Sequence, residues 1–208
     1  EQGYATIHYG GASLLDRQNI GCQSFSLRKG KESENKRKIA RKAASFIKEG
    51  DVLFMDTSTT VLEILTYMPA FRVKIITNSV PVMEAVYRDE NIDLYMAPGL
   101  YRSAGGPFDY ATAEYLSRFH YNKAFFGSTS YDPVFGTSAA EENEAAVKKC
   151  VLGNSDENYL LIDHSKMGKR SFVKYADTVD YTGILSDEEL EIDWRTKITR
   201  NGGKLILC

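Results

Sequence analysis

The segment Asp56-Thr57-Ser58-Thr59-Thr60 sets a carboxylate and four hydroxyls in a row directly after the apolar run Val52-Leu53-Phe54-Met55. Val61 to Leu65 then resumes an apolar pattern with helical spacing. This is the sequence of a buried strand that ends in a hydroxyl-rich turn and opens a helix. At that junction unpaired main-chain N–H groups and the positive end of the helix dipole face outward, beside hydroxyl donors. A phosphate or carboxylate placed there meets all three together. The plainer alternative is that Thr57 or Ser58 only caps the helix.

The elements around this turn repeat its logic. Ile39, Ala40, Ala43, Ala44, Phe46 and Ile47 recur at three- and four-residue intervals, predicting an amphipathic helix over Glu34 to Lys48 with a basic outer face. A helix from Thr60 to Tyr67 precedes the strand Val73 to Thr77, which closes on Asn78-Ser79. A helix from Pro81 to Tyr87 and a strand from Ile92 to Met96 follow, then a loop to Pro107 holding Gly99, Gly105 and Gly106. A helix is expected from near Asp109, a strand over Tyr121 to Phe126, a turn Gly127-Ser128-Thr129-Ser130, a helix over Glu141 to Leu152 and a strand over Tyr159 to Ile162. Phe172 to Tyr175, Tyr181 to Leu185, a helix over Asp187 to Ile198 and Lys204 to Leu207 complete the alternation. Alternating strands and helices imply βαβ units, at least five parallel strands, and ligands gathered at the strands' carboxyl ends. Asp56 to Thr60, Thr77-Asn78-Ser79, Gly127-Ser128 and Asp163-His164-Ser165-Lys166 then converge on one sheet edge. Hydroxyls, amides, glycines and a lysine suit a small polyhydroxylated anion, such as a sugar phosphate, better than an apolar ligand.

Composition narrows the classes. With 208 residues, 43% of them hydrophobic, the chain is long enough for one substantial core. A net charge of −2 argues against whole-surface affinity for nucleic acid or acidic lipid. Cys22, Cys150 and Cys208 show neither disulfide nor zinc spacing, so reduced thiols in the cytoplasm are expected. His8, His120 and His164 are too dispersed to suggest a metal site. No run approaches the roughly 18 apolar residues of a membrane span, and no partner membrane or cofactor is expected.

Taken together, several ordered motifs resemble the effector-binding region of DeoR-type bacterial transcriptional regulators. They are Tyr9-Gly10-Gly11-Ala12-Ser13, Lys36-Arg37-Lys38-Ile39-Ala40, the Asp56 to Thr60 turn, Thr77-Asn78-Ser79, Gly105-Gly106, Phe126-Gly127, Glu144 with Lys148, and Asp163-His164-Ser165-Lys166. The resemblance implies an α/β three-layer sandwich with a mostly parallel sheet, similar to ribose-5-phosphate isomerase, and a phosphorylated sugar as effector. It implies a phosphate cradle of Ser58, Thr59 and Thr60 with Lys36 supplying a cation. Asp56 would orient the turn or meet a sugar hydroxyl. Thr77, Asn78, Ser79, Gly105, Gly106 and Gly127 would sit in adjoining turns, and Glu144, Lys148, Asp163 and Lys166 would close the sugar end. Residues 1–12 resemble the wing end and linker of an N-terminal winged helix-turn-helix that the chain lacks, and 13–208 the effector-binding domain. A repressor of sugar-metabolism genes, bound to an operator through that missing domain and assembled as a dimer or tetramer, is what the family implies.

Each element has a plainer alternative. Lys36 to Lys42 also reads as a solvated helix face, His164 as a turn residue, and Glu144 as the i, i+4 salt-bridge partner of Lys148. The rival class is a sugar-phosphate isomerase. Such enzymes resemble this chain at the phosphate turn, yet carry Asp-Gly-Ala-Asp-Glu where it has Phe126-Gly127-Ser128-Thr129-Ser130, and Lys-Gly-Gly-Gly near its Ala140 to Glu144. The base position reads as Phe126, although Glu144 and Asp132 leave carboxylates at hand.

Overall fold

The computed structural model describes residues 5–8, 11–14, 25, 28, 33–102 and 105–208. Cys22, the Tyr9-Gly10 pair, and residues 1–4 of the expected wing and linker lie outside them. Within that segment β1 (Ala5–His8) and β2 (Gly11–Leu14) pair antiparallel.

Helix α1 (Ser33–Ala44) leads to β3 (Val52–Met55), α2 (Thr59–Tyr67), β4 (Val73–Thr77), α3 (Val80–Val86) and β5 (Ile92–Met96). The short strands β6 (Tyr101–Arg102) and β7 (Gly106–Pro107) form a small hairpin before α4 (Tyr110–Leu116). Then come β8 (Tyr121–Gly127), β9 (Ser130–Asp132), β10 (Gly136–Ala139), α5 (Glu142–Leu152) and β11 (Ser155–Leu161). The chain closes with β12 (Val173–Ala176), β13 (Gly183–Ser186), α6 (Ile192–Arg200) and β14 (Leu205–Leu207).

Seven strands form one parallel sheet in the order β14-β13-β11-β8-β3-β4-β5. Both faces of its centre are buried, which is why strands such as β3 are apolar on successive residues, while β5 at one edge alternates part-buried and exposed side chains. Leu53, Met55, Ile75, Phe125, Leu161 and Leu185 pack with Ile39, Ala43, Val61, Ile64, Val82 and Val86 of α1, α2 and α3. Their neighbours Phe54, Ile76, Ala124, Phe126, Leu160 and Ile184 face the other way, onto Leu116, Val147, Val151 and Ile198 of α4, α5 and α6. The result is the expected helix–sheet–helix sandwich. Among the described residues no helix is long and apolar enough to cross a membrane.

Three boundaries differ from the sequence reading. Helix α1 ends at Ala44, after which Phe46 stacks on Tyr159 at 4.9 Å and Ile47 is buried in a turn. Helix α6 starts at Ile192 because Asp187 folds its own turn: its carboxylate accepts from the N–H of Glu189 at 3.1 Å and of His164 at 2.8 Å. Phe172 to Tyr175 contributes not to the parallel sheet but to an antiparallel one, β12-β10-β9. The partner strands went unread because Gly136-Thr137-Ser138-Ala139 carries no large apolar residue to alternate.

Candidate functional site

A cavity of about 60 Å³ lies at the carboxyl ends of β3, β8 and β11. At roughly 10–15 Å³ per water-sized group that is the scale of a phosphate. Of the residues expected to bind, Lys36, Asp56, Ser58, Thr59, Thr60, Gly127, Glu144, Lys148, Asp163 and Lys166 line it.

Its floor is a buried ion pair. Asp56, at the end of β3, accepts from Lys148 Nζ at 2.6 Å and from the Gly127 N–H at 3.1 Å through Oδ2, and from the Thr57 N–H at 2.8 Å through Oδ1. Lys148 also donates to the Gly127 carbonyl at 2.7 Å, lies 3.6 Å from Glu144 and 5.5 Å from the Tyr175 ring. Burial opposes the Lys148 charge, yet Asp56, then Tyr175 and Glu144, outweigh it and hold the ammonium above the ordinary lysine range. The pair ties the ends of β3 and β8 to α5, and Asp56 orients the turn. Burial also lifts Glu144 above the usual carboxylate range, against the pull of Lys148 and with a further push from Asp56.

The hydroxyl turn stands on this floor. Ser58 caps α2, its Oγ accepting from the N–H of Thr60 at 3.2 Å and of Val61 at 3.5 Å. The capping alternative is therefore what this side chain does. Among the described residues, however, the main-chain N–H groups of Ser58 and Thr59 and the hydroxyls of Thr59 and Thr60 have no hydrogen-bond partner. These donors border the cavity at the helix N-terminus. Gly127 permits the approach, since a Cβ there would lie 2.2 Å from Ser58 Oγ.

Two further walls bring cations. Lys36, in the first turn of α1, is 5% exposed, and its Nζ donates to the Arg28 carbonyl at 2.5 Å. It is not part of the solvated face, whereas Lys38 is 48% exposed and pairs with Glu34 at 3.8 Å. Asp163 caps the 3-10 turn His164–Lys166, which carries Lys166, and its Oδ1 accepts from the N–H and hydroxyl of Ser165. Arg28 also borders the cavity; it sits in the basic run Arg28-Lys29-Gly30-Lys31, where nothing in the spacing singles it out. Ser128 and Thr129 of the β8 turn and the apolar wall of Phe108, Leu161 and Ile162 complete the lining.

Thr77, Asn78, Ser79, Gly105 and Gly106 do not border the cavity. Thr77 Oγ1 donates to the Met55 carbonyl at 2.5 Å, Asn78 Nδ2 to the Pro107 carbonyl at 2.9 Å, and Ser79 caps α3. Gly105 accepts from the Val80 N–H at 2.9 Å. Gly106 packs so closely on the Asn78 carbonyl that a Cβ would stand 1.7 Å from its oxygen. These five knit the neighbouring turns behind the site. Away from the cavity lining, Asp187 and Glu189 gather round His164, with potential ligand atoms within 4.8 Å of one another.

Of the two carboxylates that an enzyme could have used, Glu144 lines the cavity beside Lys148 and Asp132 does not. Phe126 is fully buried in the core beside Phe54 and Tyr181. Asp132 Oδ1 accepts from the N–H groups of Val134 and Phe135, each at 2.9 Å, and its Oδ2 meets Arg170 at 3.2 Å, outside the cavity.

Residues 31–188 match the family described as the DeoR C terminal sensor domain. Over 208 residues the chain is 30% identical to the HTH-type transcriptional repressor GlcR of Bacillus subtilis, covering 100% of this chain and 80% of that protein. It is 30% identical over 202 residues to the lactose phosphotransferase system repressor of Staphylococcus epidermidis, with 95% of this chain and 79% of that protein covered. Among solved structures, ribose 5-phosphate isomerase A of Methanocaldococcus jannaschii aligns with a TM-score of 0.48 and 19% identity over 66% of this chain and 56% of that one. With three quarters of its length matched to one sensor-domain family and its whole length to a repressor of the same kind, the chain belongs to the DeoR C-terminal sensor domain family.

Proposed function

We propose that the cavity receives the phosphate of a phosphorylated sugar, and that its occupancy modulates DNA binding by an N-terminal reader domain in a homo-oligomeric repressor of sugar-metabolism genes. One observation carries the reading: a buried lysine ammonium, Lys36, and the open N-terminus of α2 face the same phosphate-sized space. Two or three charge-assisted hydrogen bonds, at about 1.5–3 kcal/mol each, dominate the affinity of a small ligand. Glu144, Asp163 and Lys166 supply the acceptors and donor that sugar hydroxyls need beside that phosphate. That the matched relatives are transcriptional repressors, one of a lactose phosphotransferase system, supports the same class of effector.

The isomerase alternative is disfavoured by the burial of Phe126 at the position of the enzymes' base. A thermal-shift panel of sugar phosphates beside their neutral parents tests the proposal. Saturation near 100 times the dissociation constant adds about 2.7 kcal/mol, on the order of 5–10 °C for a chain of this size. Equal shifts with neutral sugars refute the cradle.

A further inference from the structure

The two cationic walls of the cavity come from segments far apart in sequence, Lys36 in α1 and Lys166 in the turn after β11. What joins them is the short turn after β13, which borders no part of the cavity itself. Asp187 is fully buried there, and its Oδ1 lies 2.9 Å from His164 Nδ1 while its Oδ2 accepts from the His164 N–H at 2.8 Å. This fixes the segment that carries Asp163 and Lys166. Two residues on, Glu189 reaches both walls. Its Oε1 accepts from Asn35 Nδ2 at 3.1 Å, next to Lys36, and its Oε2 lies 3.8 Å from His164 Nε2. Glu189 is itself 65% exposed, so packing does not account for its place.

We propose that Glu189 is a positioning residue that clasps the α1 wall to the His164 turn and so sets the spacing of Lys36 and Lys166 for an anion. The inference rests on the cavity being the anion site, but the clasp has its own signature. Asn35 is nearly buried, and its amide donates to Glu189 across the sequence from α1 to the turn after β13. Loss of Glu189 frees the first turn of α1 without disturbing the sheet or the Asp56–Lys148 floor. One part-buried hydrogen bond of this kind corresponds to about 2- to 10-fold in affinity.

The test compares wild type, Glu189→Ala and Glu189→Gln by calorimetric titration with inorganic phosphate, by melting temperature, and by amide hydrogen exchange without ligand. Glu189→Ala is expected to weaken phosphate several-fold and to lower the melting temperature by only a few degrees, with faster exchange at Arg37, Lys38 and Lys166 and unaltered exchange at Ala124. Glu189→Gln keeps an acceptor for Asn35 and restores both. Unchanged exchange at the two walls in Glu189→Ala overturns the clasp, as does phosphate affinity equal to wild type. If wild type takes no phosphate at all, the anion-site reading fails by itself, and the exchange comparison still decides whether Glu189 joins the walls.

Discussion

Lys36→Ala is the substitution on which the two views of the α1 charges part most clearly. If the helix merely presents a solvated basic face, the change removes one more surface cation, and such charges contribute well under about 1 kcal/mol. The structure instead buries the ammonium at the cavity wall, 2.5 Å from the Arg28 carbonyl. A phosphate there gains a charge-assisted contact of about 1.5–3 kcal/mol, so truncation weakens binding roughly 10- to 150-fold. Lys38→Ala is the internal control: it removes the same charge from the same helix, at a side chain 48% exposed and directed to Glu34. Calorimetric titration of both variants with the best-binding sugar phosphate supplies the comparison, and their melting temperatures show whether either has lost the fold. Equal, small losses in the two variants refute a specific role for Lys36.

Other expectations follow from the geometry. Lys148→Met strands the Asp56 carboxylate in the interior and is expected to destabilise the domain by about 3–5 kcal/mol in urea denaturation, while Asp56→Asn with Lys148→Met recovers part of that loss; a single-variant loss under about 1 kcal/mol contradicts the floor assigned here. Asp109, through hydrogen bonds from the N–H of Leu100 and Thr112, sits below the ordinary carboxylate range. Asp132 does so too, burial being outweighed by bonds from Phe135 and Val134 and by Arg170. A depressed folded-state pKa stabilises above the unfolded value near 3.9 and is lost as pH falls through the folded one. The melting temperature is therefore expected to drop more steeply below about pH 4 in wild type than in an Asp109→Asn, Asp132→Asn variant, and parallel curves contradict this. On the sequence reading that puts Phe126 where isomerases carry their base, no isomerisation of pentose or hexose phosphates is expected in a coupled assay, and turnover above about 1 s⁻¹ overturns the regulator reading.

The parallel core was legible because period and burial agree. Val52 to Met55 is an unbroken apolar run whose last three residues are buried, and Ile92 to Met96, at the sheet edge, alternates part-buried and exposed residues. The antiparallel β9–β10 hairpin was not, since its small polar strands are held by register with β12 and not by any local periodicity. At the site, residues on one contiguous turn, Asp56 to Thr60, were visible from spacing alone. Asp163 to Lys166 was visible as a polar turn after a strand, whereas Lys36 needed the family resemblance, because tertiary packing alone brings it to the cavity. Thr77, Asn78 and Gly106 share the chemistry of the cavity residues but are engaged in main-chain contacts between turns. Sequence carries no mark of that difference. Glu189 was likewise hidden, an exposed acid in an acidic run whose partner Asn35 is distant along the chain.

The central claim is that phosphate sits at the N-terminus of α2, and amide chemical shifts recorded while a sugar phosphate is titrated into the isotope-labelled chain test it most directly. The main-chain N–H groups of Ser58 and Thr59, which have no hydrogen-bond partner among the described residues, are predicted to move furthest and downfield, with Thr60 and Gly127 following at the same dissociation constant. Saturable shifts confined to Arg37, Arg41 and Lys42 on the exposed face of α1, with Ser58 and Thr59 unmoved, contradict it.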